Sequence, residues 1–137
     1  MRSSLAAGLA KTATITVDQP RTIDFMGEEC RVYATPQMLN DIEVLCRDLL
    51  LEHLDPGENS VGARVELDHL APTLLGMTVE ITAKVAEVNG RLVTFEIEAR
   101  DSLDLVGRGA HMRFLVDTAK IAERLRRKAA KVKEAGR

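Results

Sequence analysis

Aromatic residues are scarce. The 137 residues include three Phe, one Tyr and no Trp. Nucleobase-stacking platforms have little to be built from, which argues against a nucleic-acid partner. Cysteine is scarce as well. Cys30 and Cys46 are too few for a disulfide scaffold, form no C-x-x-C and have no His at zinc-like spacing. Both are expected to be buried, reduced thiols, and no metal or cofactor site is expected. No run approaches the roughly 18 consecutive apolar residues of a membrane span. The LAAGLA patch at 5–10 is shorter and less apolar than the core of a secretory signal, so the chain reads as cytoplasmic with no membrane partner. The G-x-S-x-G and H-E-x-x-H patterns are absent too.

What is present is a globular composition, 45% hydrophobic and 29% charged, in a length suited to one domain. The net charge of −2 is unevenly spread: residues 118–137 hold eight Lys/Arg against two Asp/Glu. The chain divides accordingly into a body, 1–117, and a basic tail, 118–137. Ile121, Leu125, Ala129 and Val132 recur at helical spacing in the tail, which predicts a terminal amphipathic helix docking its apolar stripe on the body. The tail's charges read either as a solvated face or as partners for anionic phosphate.

Ala13, Ile15 and Val17 alternate with threonines, the pattern of a β-strand over 12–17. Thr35-Pro36 opens a helix at about 37–54, with Thr35 as the expected N-cap, and Asp55-Pro56-Gly57 closes it. Met38, Leu39, Ile42, Leu45, Cys46, Leu49, Leu50, His53 and Leu54 fill about half the helix circumference, an arc wide enough to be wrapped by a curved sheet. Four alternating runs follow. Their expected inward sets are Val61 to His69, Met77 to Val85, Val93 to Ala99, and Val106 with Ala110, Met112, Phe114 and Val116. Asn89-Gly90 marks a hairpin between the second and third. Strand, long helix, four-stranded antiparallel meander and terminal helix make an α+β domain, in the layout of the hotdog fold.

Three polar groups interrupt the apolar faces. Glu43 lies in the apolar arc between Leu50 and Leu54, where a carboxylate is costly to desolvate unless paired; Arg47 at i+4 is one available partner. His69 ends the first inward-facing strand set, as a core imidazole or a general acid/base. Thr35 is a helix cap or a hydroxyl placed where the helix dipole favours an anion. Gly107-Arg108-Gly109 sits inside a strand pattern and reads as a bulge or a close backbone approach. His111 and Arg113 read as a solvated polar face.

The stretches ATPQMLNDIE (34–43), LDPGENSVGARVELDHLAP (54–72), GMTV (76–79), NGRLVTF (89–95) and VGRGAHMR (106–113) resemble the hotdog acyl-CoA thioesterases related to fluoroacetyl-CoA thioesterase. That resemblance implies a catalytic set at Thr35, Glu43 and His69, a glycine beside the acyl group at Gly62 and an active-site arginine at Arg113. It further implies active sites shared between subunits of a homodimer or dimer of dimers, an acyl-CoA substrate, and Glu43 as nucleophile or general base. The fluoroacetate enzyme closes its acyl pocket with a lid of phenylalanines, whereas this chain has only Phe25 followed by MGEEC. Selectivity for fluoroacetyl groups is therefore not implied. Two other readings stand beside hydrolysis. One is a non-catalytic acyl-CoA binding or sensing module; the other is a hotdog hydratase or dehydratase, whose Asp/His pair is not found.

Overall fold

The computed structural model describes residues 1–136. Nine segments follow in order: β1 (Ala10–Thr16), two 3-10 turns (Gln19–Arg21 and Glu28–Cys30), α1 (Thr35–Leu51), β2 (Glu58–His69), β3 (Thr78–Asn89), β4 (Leu92–Arg100), β5 (Leu105–Asp117) and α2 (Thr118–Glu134). The five strands form one antiparallel sheet in the order β1-β3-β4-β5-β2. This is the helix-in-sheet hotdog architecture, with α1 packed against β1, β2 and β3. Met38, Ile42, Leu45, Cys46, Leu49 and Leu50 of α1 meet Val79, Ile81, Ala83 and Val85 of β3 and Val93, Phe95 and Ile97 of β4 in one core. Helix and sheet each bury their apolar side against the other.

The meander therefore has three strands rather than four. β3, β4 and β5 are consecutive neighbours, but β2 pairs with β5 and lies at the sheet edge, so the β2–β3 connection crosses the sheet. Short-range alternation specifies strands, not which of them pair. The Asn89-Gly90 hairpin forms as expected, with Gly90 at φ 61°.

Two strand faces differ from the simple alternation. In β5 the inward face is Gly107, Gly109, His111, Arg113 and Leu115, set by their pairing with the buried Ala99, Ile97, Phe95 and Val93. Ala110, Met112 and Phe114 point outward, and His111 and Arg113 are buried rather than solvated. In β2 the register shifts between Gly62 and Arg64, leaving Ala63 unopposed. The bulge reverses the alternation: Val61 pairs with outward Phe114, while Val65 pairs with inward His111. Val61 and Val65 remain 45% and 40% exposed, because β2 has a neighbour on one side only.

The helix starts one residue earlier than a Thr35 cap would require. Ala34 holds the N-cap position without a side-chain bond, and Thr35 and Pro36 lie inside the first turn. The irregular stretch before α1 is tied down by a buried cluster. Tyr33 donates to Asp41 Oδ2 at 2.5 Å, and Arg21 donates to both oxygens of Asp41 at 3.0 and 3.1 Å. Cys46 is buried, but Cys30 is exposed, since its 3-10 turn lies outside the core. The basic tail is helical but does not dock along its length. Ile121 is half-buried, Val132 is exposed and Leu125 is 60% exposed. No described helix is long and apolar enough to cross a membrane.

Candidate active site

Two polar clusters flank α1, two turns apart. At its N-terminus the Thr35 hydroxyl lies 2.7 Å from His69 Nδ1. A hydroxyl held by an imidazole is not capping the helix, so its position serves that contact instead. His69 Nε2 is buried without a hydrogen-bond partner, and burial holds the imidazole pKa below its usual value. The ring packs edge-on to Tyr33 with centroids 6.5 Å apart. Burial thus favours the uncharged form of His69, whose Nδ1 is held by Thr35 and whose Nε2 is shielded from solvent without a side-chain partner.

The second cluster centres on Arg113, whose side chain is 6% exposed. Its Nε donates to Ser60 Oγ at 2.7 Å and its Nη2 to the Ser60 carbonyl at 3.0 Å. Its Nη1 lies 3.2 Å from His111 Nε2 and 3.4 Å from Glu43 Oε2. A guanidinium only donates, so His111 Nε2 must accept and Nδ1 must carry the proton, which it directs to the Arg64 carbonyl at 2.9 Å. Burial first, and the Arg113 charge after it, hold the His111 pKa below its usual value. Burial likewise pushes the nearby Cys46 thiol up to about 12, which removes it as a nucleophile.

Glu43 is therefore lightly held. One long contact to Arg113 orients it, and its side chain remains 43% exposed. It borders a cavity of about 400 Å³ lined by Gly62, Val65 and His111. Gly62 makes room for the carboxylate: a Cβ there would lie 3.1 Å from Glu43 Oε2, 3.5 Å from His111 Cε1 and 3.8 Å from Arg113 Nη1.

Of the residues singled out by sequence, Glu43, Gly62 and Arg113 come together, and so do Thr35 and His69. The two groups do not meet within one chain. Eight residues of helix separate Thr35 from Glu43, about 12 Å along the axis. Glu43 pairs with Arg113 rather than Arg47, which instead lies 3.3 Å from Asp48. Ser60, His111 and the Tyr33–Asp41–Arg21 cluster were not found by sequence reasoning. Only the β4–β5 register turns His111 inward, and nothing local marks Ser60.

A family model for the fluoroacetyl-CoA-specific thioesterase matches residues 17–119. The chain belongs to this thioesterase family. It is a thioester hydrolase. The curated fluoroacetyl-CoA thioesterase of Streptantibioticus cattleyicolor is 34% identical over 97 residues, 71% of this chain and 70% of that one. Among solved structures, a thioesterase superfamily member from Thermus thermophilus superposes with a TM-score of 0.86 at 30% identity, covering 96% of this chain and 98% of its own. A hot-dog-like protein from Thermanaerovibrio acidaminovorans gives 0.83 at 27% identity, covering 89% and 91%. The matched 17–119 span of the thioesterase contains both clusters and stops at the start of α2.

Proposed function

We propose that this thioesterase hydrolyses a small or medium acyl-CoA to the free acid and CoA. The observation that carries the reading is the Glu43 carboxylate, oriented by a buried arginine yet open to a cavity at Gly62. Such a carboxylate can attack the thioester carbonyl, or draw a proton from the water that does. Attack by Glu43 Oε would form an anhydride and release the CoA thiolate, and water would then free the acid and regenerate the carboxylate. On the water route, hydroxide adds to the carbonyl and the tetrahedral intermediate expels the thiolate. In both, the free Nε2 of His69 is suited to polarise the carbonyl or protonate the leaving sulfur, with Thr35 fixing the ring. At the start of α1 the Thr35 N–H and the helix dipole favour the oxyanion, since Pro36 has no N–H and those of Gln37 and Met38 donate to the Ala34 carbonyl.

The separation of the two clusters fits a site shared between subunits. β2 is a 12-residue edge strand carrying exposed Val61 and Val65, and unpaired edges invite a second chain. Antiparallel pairing of two such edges lays the Gly62 end of one strand beside the His69 end of the other. In a homodimer, or a dimer of dimers, each complete site would then take Glu43 from one protomer and the Thr35–His69 pair from its partner.

The test is thiol release from a panel of acyl-CoAs, followed with a free-thiol reagent. Wild type should release thiol, and Glu43→Gln should retain the fold and lower kcat by at least about 100-fold. Near-normal turnover by a folded Glu43→Gln protein would overturn the role of Glu43. Tight acyl-CoA binding by wild type without release would favour a sensing module instead. Oxygen-18 carried from water into Glu43 in a single turnover, or a labelled acyl group trapped on Glu43, would assign it as nucleophile; a single turnover that leaves neither would support the base.

A further inference from the structure

The first three turns of α2 and the end of the β4–β5 pair enclose a groove of about 290 Å³. Phe114 and Ile121 form its floor, and Arg91, Lys120, Arg124 and Arg127 stand around it. Four cations converge there. Asp117 also lines the groove, but its carboxylate is engaged in capping α2, accepting from the Lys120 amide at 3.1 Å. Glu123 lies 3.9 Å from Arg127 and offsets part of one charge. Arg91 is fixed across the strands by a 3.4 Å bond to the Leu115 carbonyl. The site is thus a cationic rim over an apolar floor, chemistry suited to phosphates joined to an organic group.

The groove does not stand alone. A second cavity of about 460 Å³ shares Val116 and Ile121 with it, and reaches Gly62 and Arg113 at its other end. Gly62 in turn borders the Glu43 cavity. One path therefore runs from the carboxylate, along the β2–β5 edge, to the basic groove. From the level of Gly62 and Arg113 to that of Asp117 is four strand residues, about 13 Å. The pantetheine arm joins the thioester sulfur to the first phosphate by about a dozen bonds. That equals roughly four residues of extended chain, ~14 Å. The arm is thus long enough to bring the first phosphate to the mouth of the groove at Asp117 and Lys120.

Resting on the acyl-CoA reading above, we infer that the groove between α2 and the β4–β5 end binds the phosphates of the coenzyme A nucleotide. Arg91, Lys120, Arg124 and Arg127 contact the phosphate oxygens, and the pantetheine arm lies between Arg113 and Ile121. The basic tail is then part of the substrate site rather than a solvated appendage.

The experiment compares an acyl-CoA with the matching acyl-pantetheine, which lacks the nucleotide, on the full-length protein. The variant is Arg91→Ala/Arg124→Ala/Arg127→Ala, with the corresponding triple lysine variant as the charge-conserving control. Binding of free CoA and of pantetheine is measured by calorimetry in parallel. The expected result is that the alanine variant raises KM for acyl-CoA and Kd for CoA about tenfold, each exposed pair being a few-fold effect. It should leave the pantetheine compounds unchanged, and lysine should restore most of the loss. The wild-type affinity for CoA, but not pantetheine, should also weaken as salt rises. Equal effects on both ligands, or no effect on either, would overturn the proposal. If no acyl-CoA is hydrolysed, the activity reading fails by itself, and selective loss of CoA binding still supports the groove.

Discussion

At the residue scale, the site is organised by what a side chain leaves free. Arg113 gives three of its contacts to Ser60 and His111 and only one long contact to Glu43. A carboxylate locked in a two-pronged ion pair would have its lone pairs occupied. Here one oxygen is oriented and the other is available. Gly62 maintains this arrangement by having no Cβ. Gly62→Ala would place a methyl carbon 3.1 Å from Glu43 Oε2, and the half-exposed carboxylate can yield by turning away. The fold should therefore persist while kcat falls about tenfold, since small misplacements of a reacting group are costly. Circular dichroism with steady-state kinetics checks this; unchanged kcat in Gly62→Ala would show that the carboxylate's orientation is not set there.

At the element scale, glycine decides how the β2 edge is attached. A Cβ on Gly109 would lie 1.9 Å from the Glu66 carbonyl oxygen and 3.1 Å from Leu67 Cα, a collision with backbone that no rotamer relieves. The close approach anticipated for the Gly107–Gly109 stretch is thus found at Gly109. At Gly107 the Cβ would meet the Met38 sulfur at 2.8 Å, a flexible side-chain atom. Gly109→Ala should destabilise the protein by at least about 2 kcal/mol through loss of β2–β5 pairing, and Gly107→Ala by less. Urea denaturation of the two variants tests the order. A Gly109→Ala protein as stable as wild type would show that β2 can shift without penalty.

At the scale of the whole molecule, two expectations follow from the exposed edge and the buried imidazoles. Light scattering at working concentration should give a dimer or tetramer, because β2 presents 12 residues with an unpaired side. A monomer would remove the basis for a site shared between subunits. Stability should also fall in mild acid. Burial lowers the pKa of both His69 and His111 below 6.5, so between the folded values and 6.5 the unfolded chain binds more protons than the folded one. Stability is then fully present above about 6.5 and is lost as pH falls, with a limiting slope of ~1.4 kcal/mol per pH unit for each proton. Thermal denaturation between pH 7.5 and 5 checks the sign; stability that is flat or rises toward pH 5 would contradict it.

The strand and helix segments, the wide apolar arc of α1, the hairpin at Asn89-Gly90 and the oddity of Glu43 and His69 were all legible in the sequence. Each is a local matter: periodicity, turn chemistry, or a charged group among apolar neighbours along one helix or strand. Pairing is not local, and it was pairing that placed β2 at the edge beside β5. Pairing also turned His111 and Arg113 inward, although their own strand presents Ala110, Met112 and Phe114 as the apolar face. A single bulge at Ala63 reversed the faces of β2, and alternation cannot reveal a bulge because it counts residues without knowing the partner strand. Thr35 carries the same lesson. A Thr before Pro at a helix start has the local signature of a cap, but tertiary structure brings His69 within 2.7 Å, and the hydroxyl engages the imidazole instead. The sequence determined which groups this thioesterase has. The sheet order and register decided which of them share one chain's cavity and which stand two helical turns apart.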